Sequence, residues 1–165
     1  MDVYILRHGK AEDARPGTGD ADRRLTKKGQ DEIASVGRWI TSQGIRFDVI
    51  AASPLARAQE TAMIVAETLG QRDDGVVTWK VLAPGGNPDE VCHVISRHRD
   101  AGAILLVGHE PQLSTLVSRI IFGEETAAIV LSKGSLAKIR EFTYLAGPAG
   151  ELHWLLTAKQ MAGIK

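Results

Sequence analysis

The chain has 165 residues, 44% of them apolar, enough to bury a sizeable core, and it is expected to form a single domain over residues 1–165. Twenty Lys and Arg balance twenty Asp and Glu, so the formal charge is zero, which argues against a non-specific nucleic-acid surface. No apolar run reaches membrane-span length, no basic leader precedes the first apolar run, and the single Cys92 excludes an intrachain disulfide; a cytoplasmic protein with no nucleic-acid or membrane partner, monomeric rather than an obligate oligomer, is expected.

Val3-Tyr4-Ile5-Leu6 runs straight into Arg7-His8-Gly9. An apolar run without polar alternation predicts a strand buried on both faces, so Arg7 and His8 should emerge at its carboxyl end, where open α/β sheets bind ligands. Gly9 would let a ligand approach the backbone. Lys10 to Arg24 is polar, carries Pro16, Gly17, Gly19, Asp20 and Asp22, and reads as a loop over that strand end. Thr26 caps a helix whose buried stripe is Leu25, Ile33, Val36, Trp39 and Ile40, with Gly44 as its stop. Asp48 to Ala52 is a second buried strand, ended by Ser53-Pro54, and a helix follows through Thr61, Ile64, Val65 and Leu69 to Gly70.

Asp73-Asp74-Gly75 reads as a turn and Val76 to Leu82 as a strand, broken by Pro84-Gly85-Gly86. Asn87 and Pro88 open a helix predicted to run through Val91, Val94 and Ile95 to the neighbourhood of Gly102. Ala103 to Gly108 is the most apolar stretch and predicts a central strand, ending in His109-Glu110-Pro111, where Pro111 starts a helix through Leu113, Leu116, Val117 and Ile121. Beyond Gly123, Ala127 to Leu131, Leu136 to Phe142 and Leu152 to Leu156 read as strands, with a hairpin turn at Gly147-Pro148-Ala149-Gly150. Four strand–helix alternations followed by antiparallel strands predict an α/β fold: a three-layer sandwich with a mixed, mostly parallel central sheet.

Three strand ends carry the chemistry. If Ile5-Leu6-Arg7-His8 and Leu106-Val107-Gly108-His109 are neighbours, both imidazoles face one pocket. Arg57 sits in the first turn of the helix after Ser53-Pro54, and helix starts favour phosphate. Two histidines, two arginines and two helix starts make an anion site suited to phosphoryl transfer. Elsewhere, His93 and His98 lie five apart, on different helix faces, and form no metal pair. His153 reads as structural and Cys92 as a small buried hydrophobe. Gly85-Gly86 is a turn, because no Gly-Lys-Ser/Thr follows it.

Arg7-His8-Gly9, Ser53-Pro54-Leu55-Ala56-Arg57-Ala58, Thr61-Ala62 and Gly108-His109, in this order, resemble the histidine phosphatase superfamily, with its phosphoglycerate mutase-like fold. Arg23-Arg24-Leu25-Thr26-Lys27-Lys28-Gly29 resembles that family's Arg-Pro-Leu-Thr-x-x-Gly segment, with Arg24 in place of the proline. The short chain, lacking a large inserted cap, is similar to the SixA-type phosphohistidine phosphatases. The resemblance implies one histidine phosphatase domain, with His8 as nucleophile, Arg7, Arg57 and His109 as the phosphate pocket, and Arg23 as an outer contact. Ser53 is a further candidate for touching phosphate. Protonated His109 is expected to join the two arginines in stabilising the transferring group. No metal and no cofactor is expected, because fixed cations do that work.

Two departures stand out. Gln59-Glu60 precedes Thr61 where relatives carry Gln. The segment in which many relatives hold a general-acid Glu is Leu82-Ala83-Pro84-Gly85-Gly86-Asn87-Pro88, which has no acid; Asp89, Glu90, Glu110 or no side chain remains in that role. A phosphoramidate needs less help in leaving than an alkoxide, so the expected partner is a phosphorylated protein bearing phosphohistidine. The alternatives are a phosphatase of small phosphate esters and a non-catalytic phosphate-binding regulatory module.

Overall fold

A computed structural model describes residues 1–14, 16–17, 19–71, 75–124 and 129–164. The first apolar run forms β1 (Asp2–Arg7), with Val3 to Leu6 buried. α1 (Lys27–Ser42), β2 (Val49–Ala52), α2 (Ala56–Thr68), β3 (Val77–Thr78), α3 (Pro88–Ser96), β4 (Ala103–Gly108) and α4 (Gln112–Phe122) follow, then the antiparallel pair β5 (Leu136–Tyr144) and β6 (Pro148–Leu156), and α5 (Ala158–Gly163). They build one six-stranded sheet in the order β3-β2-β4-β1-β5-β6. β1 to β4 are mutually parallel where they pair, and β5 and β6 extend the sheet antiparallel beyond β1.

Strand alternation divides the core into two layers. Tyr4 and Leu6 of β1 and Leu105 and Val107 of β4 point to one face, where Ile33, Val36 and Ile40 of α1 and Ala58, Ala62 and Val65 of α2 cover them. Val3 and Ile5, with Ile104 and Leu106, point to the other, under Val91 and Ile95 of α3 and Leu113, Leu116 and Val117 of α4. The continuous apolar runs at β1 and β4 are thus strands with two buried faces.

Several boundaries differ from the sequence expectation. The strand predicted over Val76 to Leu82 pairs only at Val77 and Thr78, because its neighbour β2 ends at Ala52 opposite Thr78. Lys80–Leu82 then turns as a 3-10 helix and buries Leu82. α3 stops at Ser96 rather than near Gly102, since Ile95 is its last buried apolar residue and Arg97-His98-Arg99-Asp100 offers nothing to bury. His98 therefore lies beyond the helix, stacked on Trp79 at 5.2 Å between ring centroids. The expected strand at Ala127 to Leu131 is not formed over residues 129–131; Ala127 and Ala128, like Asp73 and Asp74 of the expected turn, lie outside the described residues. Leu131 is nonetheless fully buried in the α3–α4 layer.

Pro148, Ala149 and Gly150 already belong to β6, so the hairpin link is residues 145–147. Gly150 answers a packing need instead: a Cβ there would lie 2.7 Å from Ile139 Cγ2. The unpredicted α5 opens with a capping box in which Thr157 and Gln160 satisfy each other's backbone amides.

The start of α1 holds the loop after β1. Thr26 caps the helix by accepting from the Gly29 amide, and its own amide and hydroxyl donate to the Lys10 carbonyl. A Cβ on Gly29 would lie 2.2 Å from that carbonyl oxygen, which explains the glycine in a helix interior. Gly29→Ala in an exposed helix would stabilise by about 1 kcal/mol. Here the clash should reverse the sign and destabilise by about 1–3 kcal/mol. Denaturant unfolding checks this, and a more stable variant would refute the close approach.

Candidate active site

Parallel pairing of β1 with β4 creates the site. Arg7 stands opposite Gly108, so the next residue on each strand is a histidine, and the His8 amide donates to the Gly108 carbonyl at 3.1 Å. The two imidazole centroids lie 4.9 Å apart with the rings tilted by 54°. α1, next after β1, covers one face of the sheet, and α4, next after β4, covers the other, so the chain diverges to opposite faces at these strand ends, the arrangement at which open α/β sheets bind ligands.

Both rings are buried. His8 Nδ1 lies 2.7 Å from the Gly9 carbonyl oxygen. A carbonyl only accepts, so Nδ1 carries the proton and Nε2 keeps its lone pair. Burial, with lesser repulsion from Arg57, Arg7 and Lys133, lowers the His8 pKa to about 4, against a raising contribution from the Gly9 carbonyl. Gly9 is fixed in turn: its amide donates to Thr61 Oγ1 at 3.1 Å, and that hydroxyl donates to the Arg57 carbonyl at 2.7 Å.

His109 Nε2 lies 2.8 Å from Ser53 Oγ. The Leu55 amide donates to Ser53 Oγ at 3.4 Å, and among the described residues His109 Nε2 is the acceptor within reach of the buried hydroxyl proton, so we assign that proton to a bond with His109 Nε2 and the ring proton to Nδ1, which is buried without a partner among the described residues. Burial first, then His8, Arg57 and Arg7, lower the His109 pKa to about 3, with Asp20 opposing. In the free protein the ring is therefore neutral, where the sequence leads to a protonated His109 beside the transferring group, and its Nδ1–H is still a donor toward an anion.

Arg57, in the first turn of α2, is buried, with only 7% of its side chain exposed. One terminal nitrogen donates to the Asp20 carbonyl at 2.7 Å and the other to Asp20 Oδ2 at 3.0 Å. Arg23 donates to Asp20 Oδ1 at 2.8 Å and to the Glu12 carbonyl at 2.8 Å, which places it at the outer edge. Arg7 donates from one terminal nitrogen to the Leu131 carbonyl at 2.7 Å, while its Nε is buried without a partner among the described residues. Buried donors without partners are rare. Arg7 Nε and His109 Nδ1 provide two of them at one sheet end.

Ser53, fully buried, is directed at His109. Asp89 is paired with Arg119 at 2.7 Å. Glu110 folds back onto Ser114, accepting from its amide at 3.1 Å and its hydroxyl at 2.7 Å. Glu90 is exposed on α3. Among the described residues, the carboxylate bonded to a pocket arginine is that of Asp20, which in the sequence is one acid of a polar loop. Its bonds to Arg23 and then Arg57 hold its carboxyl below the usual range. Lys133 was also missed. It precedes β5, which starts where β1 ends because the two are antiparallel (Leu6 opposite Leu136). No local signal marks either residue beyond the polar character of its loop.

Two of the departures in sequence meet in space: Arg24 forms an ion pair with Glu60, whose other oxygen accepts from the Leu25 amide at 2.7 Å. Among the described residues, no group of three or more His, Cys, Asp or Glu side chains is disposed to hold a metal ion. No helix among them is long and apolar enough to cross a membrane. Cys92 is buried and its thiol is pushed up to about 12, mainly by burial, so it is no nucleophile.

The chain is similar to known proteins in sequence and in fold. The model of the histidine phosphatase superfamily (branch 1) matches residues 3–83. The chain is 33% identical over 143 residues to an uncharacterized protein of Picosynechococcus sp., covering 85% of each. It is 29% identical over 126 residues to the phosphohistidine phosphatase SixA of Escherichia coli, covering 75% of this chain and 76% of that one. In three dimensions it is similar to the protein histidine phosphatase SixA complexed with tungstate, with a TM-score of 0.85, 24% identity, and coverage of 96% and 98% of the two chains. The sheet order, the paired strand-end histidines and these relatives together lead to one conclusion: the chain belongs to branch 1 of the histidine phosphatase superfamily and has the phosphoglycerate mutase-like fold.

Proposed function

We propose that the protein is a metal-independent phosphatase that takes the phosphoryl group onto His8, and that its substrate is phosphohistidine on a protein. The observation that carries this reading is the Nδ1 contact of His8 with the Gly9 carbonyl, which leaves Nε2 unprotonated beside Arg7, Arg57 and His109. The lowered His8 pKa keeps that nitrogen a free base at neutral pH.

In the first step His8 Nε2 attacks phosphorus in line. The bond from phosphorus to the substrate nitrogen breaks, and its electron pair returns to the substrate imidazole. In the second step water attacks phosphorus, the bond to His8 Nε2 breaks, and inorganic phosphate leaves. Charge on the equatorial oxygens is met by Arg7, by Arg57 and by the Nδ1–H of His109. Arg23 acts as an outer contact, and Ser53 acts through His109 by setting its tautomer.

The substrate preference follows from the carboxylates. Asp89 and Glu110 are engaged elsewhere, and Asp20 is held ionised between two arginines. None of the three is poised to protonate a departing alkoxide, whereas a phosphohistidine ring already protonated on its far nitrogen leaves as neutral imidazole without that help. The similarity to SixA supports the same substrate class. A lone buried Cys92 fits a cytoplasmic setting.

Three outcomes test the proposal. Rapid quench with labelled substrate should trap a phosphoryl group on His8, stable in alkali and labile in acid, and His8→Ala should abolish turnover while the fold is retained. Label on another residue, or turnover by His8→Ala, would refute the mechanism; turnover of small esters with none of phosphohistidine would transfer the assignment to them. The His8 ring should titrate near 4 by NMR. Because the unfolded chain binds protons below about pH 6.5 that the folded site refuses, stability should fall as the pH drops from there toward 4, and less so in His8→Asn. A His8 midpoint at 6.5 would refute the desolvated nucleophile. Finally, activity should persist in a strong chelator; loss that a divalent ion restores would exclude the metal-free route.

A further inference from the structure

Asp20 is an unexpected residue for an anion site. Its carboxylate lies 3.0 Å from Arg57, the buried cation of the pocket, and 2.8 Å from Arg23. Next to a phosphoryl dianion it repels, and it competes with the dianion for the Arg57 guanidinium. A site shaped only to hold phosphate gains nothing from it. Its side chain is 61% exposed on the 3-10 turn Asp20–Asp22, whereas the Arg57 side chain is 7% exposed. The Asp20 backbone carbonyl already ties the turn to Arg57, so holding the loop does not by itself require a carboxylate here.

Its position gives it another use. His8 is buried, so the leaving group of an in-line transfer lies on the opposite side of phosphorus, toward solvent. Asp20 is bonded to the buried Arg57 and is far more exposed than it, which puts its carboxylate on the solvent side of that cation. Each carboxylate oxygen carries one hydrogen bond from an arginine and has capacity for a further one.

We propose that Asp20 recognises the leaving imidazole: its carboxylate accepts a hydrogen bond from the ring N–H of phosphohistidine and so selects a cationic, nitrogen-linked leaving group over the alkoxide of a phosphate ester. This rests on the phosphohistidine reading above. The proton on the far ring nitrogen stays there throughout. The P–N bond breaks, its electron pair returns to the near nitrogen, and the positively charged ring departs as neutral imidazole. Asp20 transfers no proton and remains a carboxylate. An ester gains no such contact and meets only the repulsion, so one charge serves both selection and rejection.

The test is Asp20→Asn, which keeps the shape and the backbone carbonyl bonded to Arg57 and removes the charge. Two quantities are measured on the full chain: kcat/KM for phosphohistidine, and Kd for inorganic phosphate. Loss of a charge-assisted hydrogen bond should lower kcat/KM about ten- to a hundredfold. Phosphate should bind as tightly or more tightly, because the repulsion is gone. A residue that merely positions Arg57 would weaken both together, and that result, or an unchanged kcat/KM, would overturn the proposal. A wild-type protein that leaves phosphohistidine intact would instead refute the underlying substrate assignment, a failure visible without the variant.

Discussion

The pairing of β1 with β4 is the constraint on which the site depends. Parallel strands place their carboxyl ends on the same side of the sheet, and a register with Arg7 opposite Gly108 brings His8 and His109 to one level. A shift of one residue along either strand would turn each buried side chain to the opposite layer, so the hydrophobic core enforces the register. Val3 and Ile5 pack under α3 and α4, and Tyr4 and Leu6 under α1 and α2; neither set tolerates the other's place. The same packing that makes the sheet therefore sets the spacing of the imidazoles.

Burial then determines their chemistry. Removing both rings from water disfavours the imidazolium, and the neighbouring arginines disfavour it further. Two neutral histidines have distinct ring nitrogens, and here each ring is given a direction by one neighbour: Gly9 for His8, Ser53 for His109. One ring presents a lone pair and the other an N–H. Positive charge in the crevice comes from the arginines, which stay protonated whatever their surroundings.

The loop between β1 and α1 is held to this end of the sheet by side chains from α2. Arg57 grips Asp20 by backbone and carboxylate, and Glu60, one turn along the same helix, receives Arg24 and the Leu25 amide. A proline at position 24 would set the chain direction through its own ring. With arginine there, Glu60 of α2 holds the segment through the Arg24 side chain and the Leu25 amide.

Apolar runs without alternation marked β1 and β4 as central strands, and Thr26, Asn87 and the glycines after α1, α2 and α4 marked helix ends. These are local signals, because burial on both faces and capping are each satisfied within a few residues. Arg7, His8, Arg57 and His109 were legible for the same reason: each follows or adjoins a strand end that its own neighbours define. What the tertiary structure alone decided is how far a pattern extends and which distant groups meet. Val76 to Leu82 has strand composition, but the ladder ends where β2 ends. Asp20 looks like any acid in a polar loop until α2 brings Arg57 to it, and the charge of Lys133 acts on His8 because β5 starts where the antiparallel β1 ends. The protonation of His109 depends first on its burial. Charge, contact and desolvation act across space, and a sequence places side chains only along the chain.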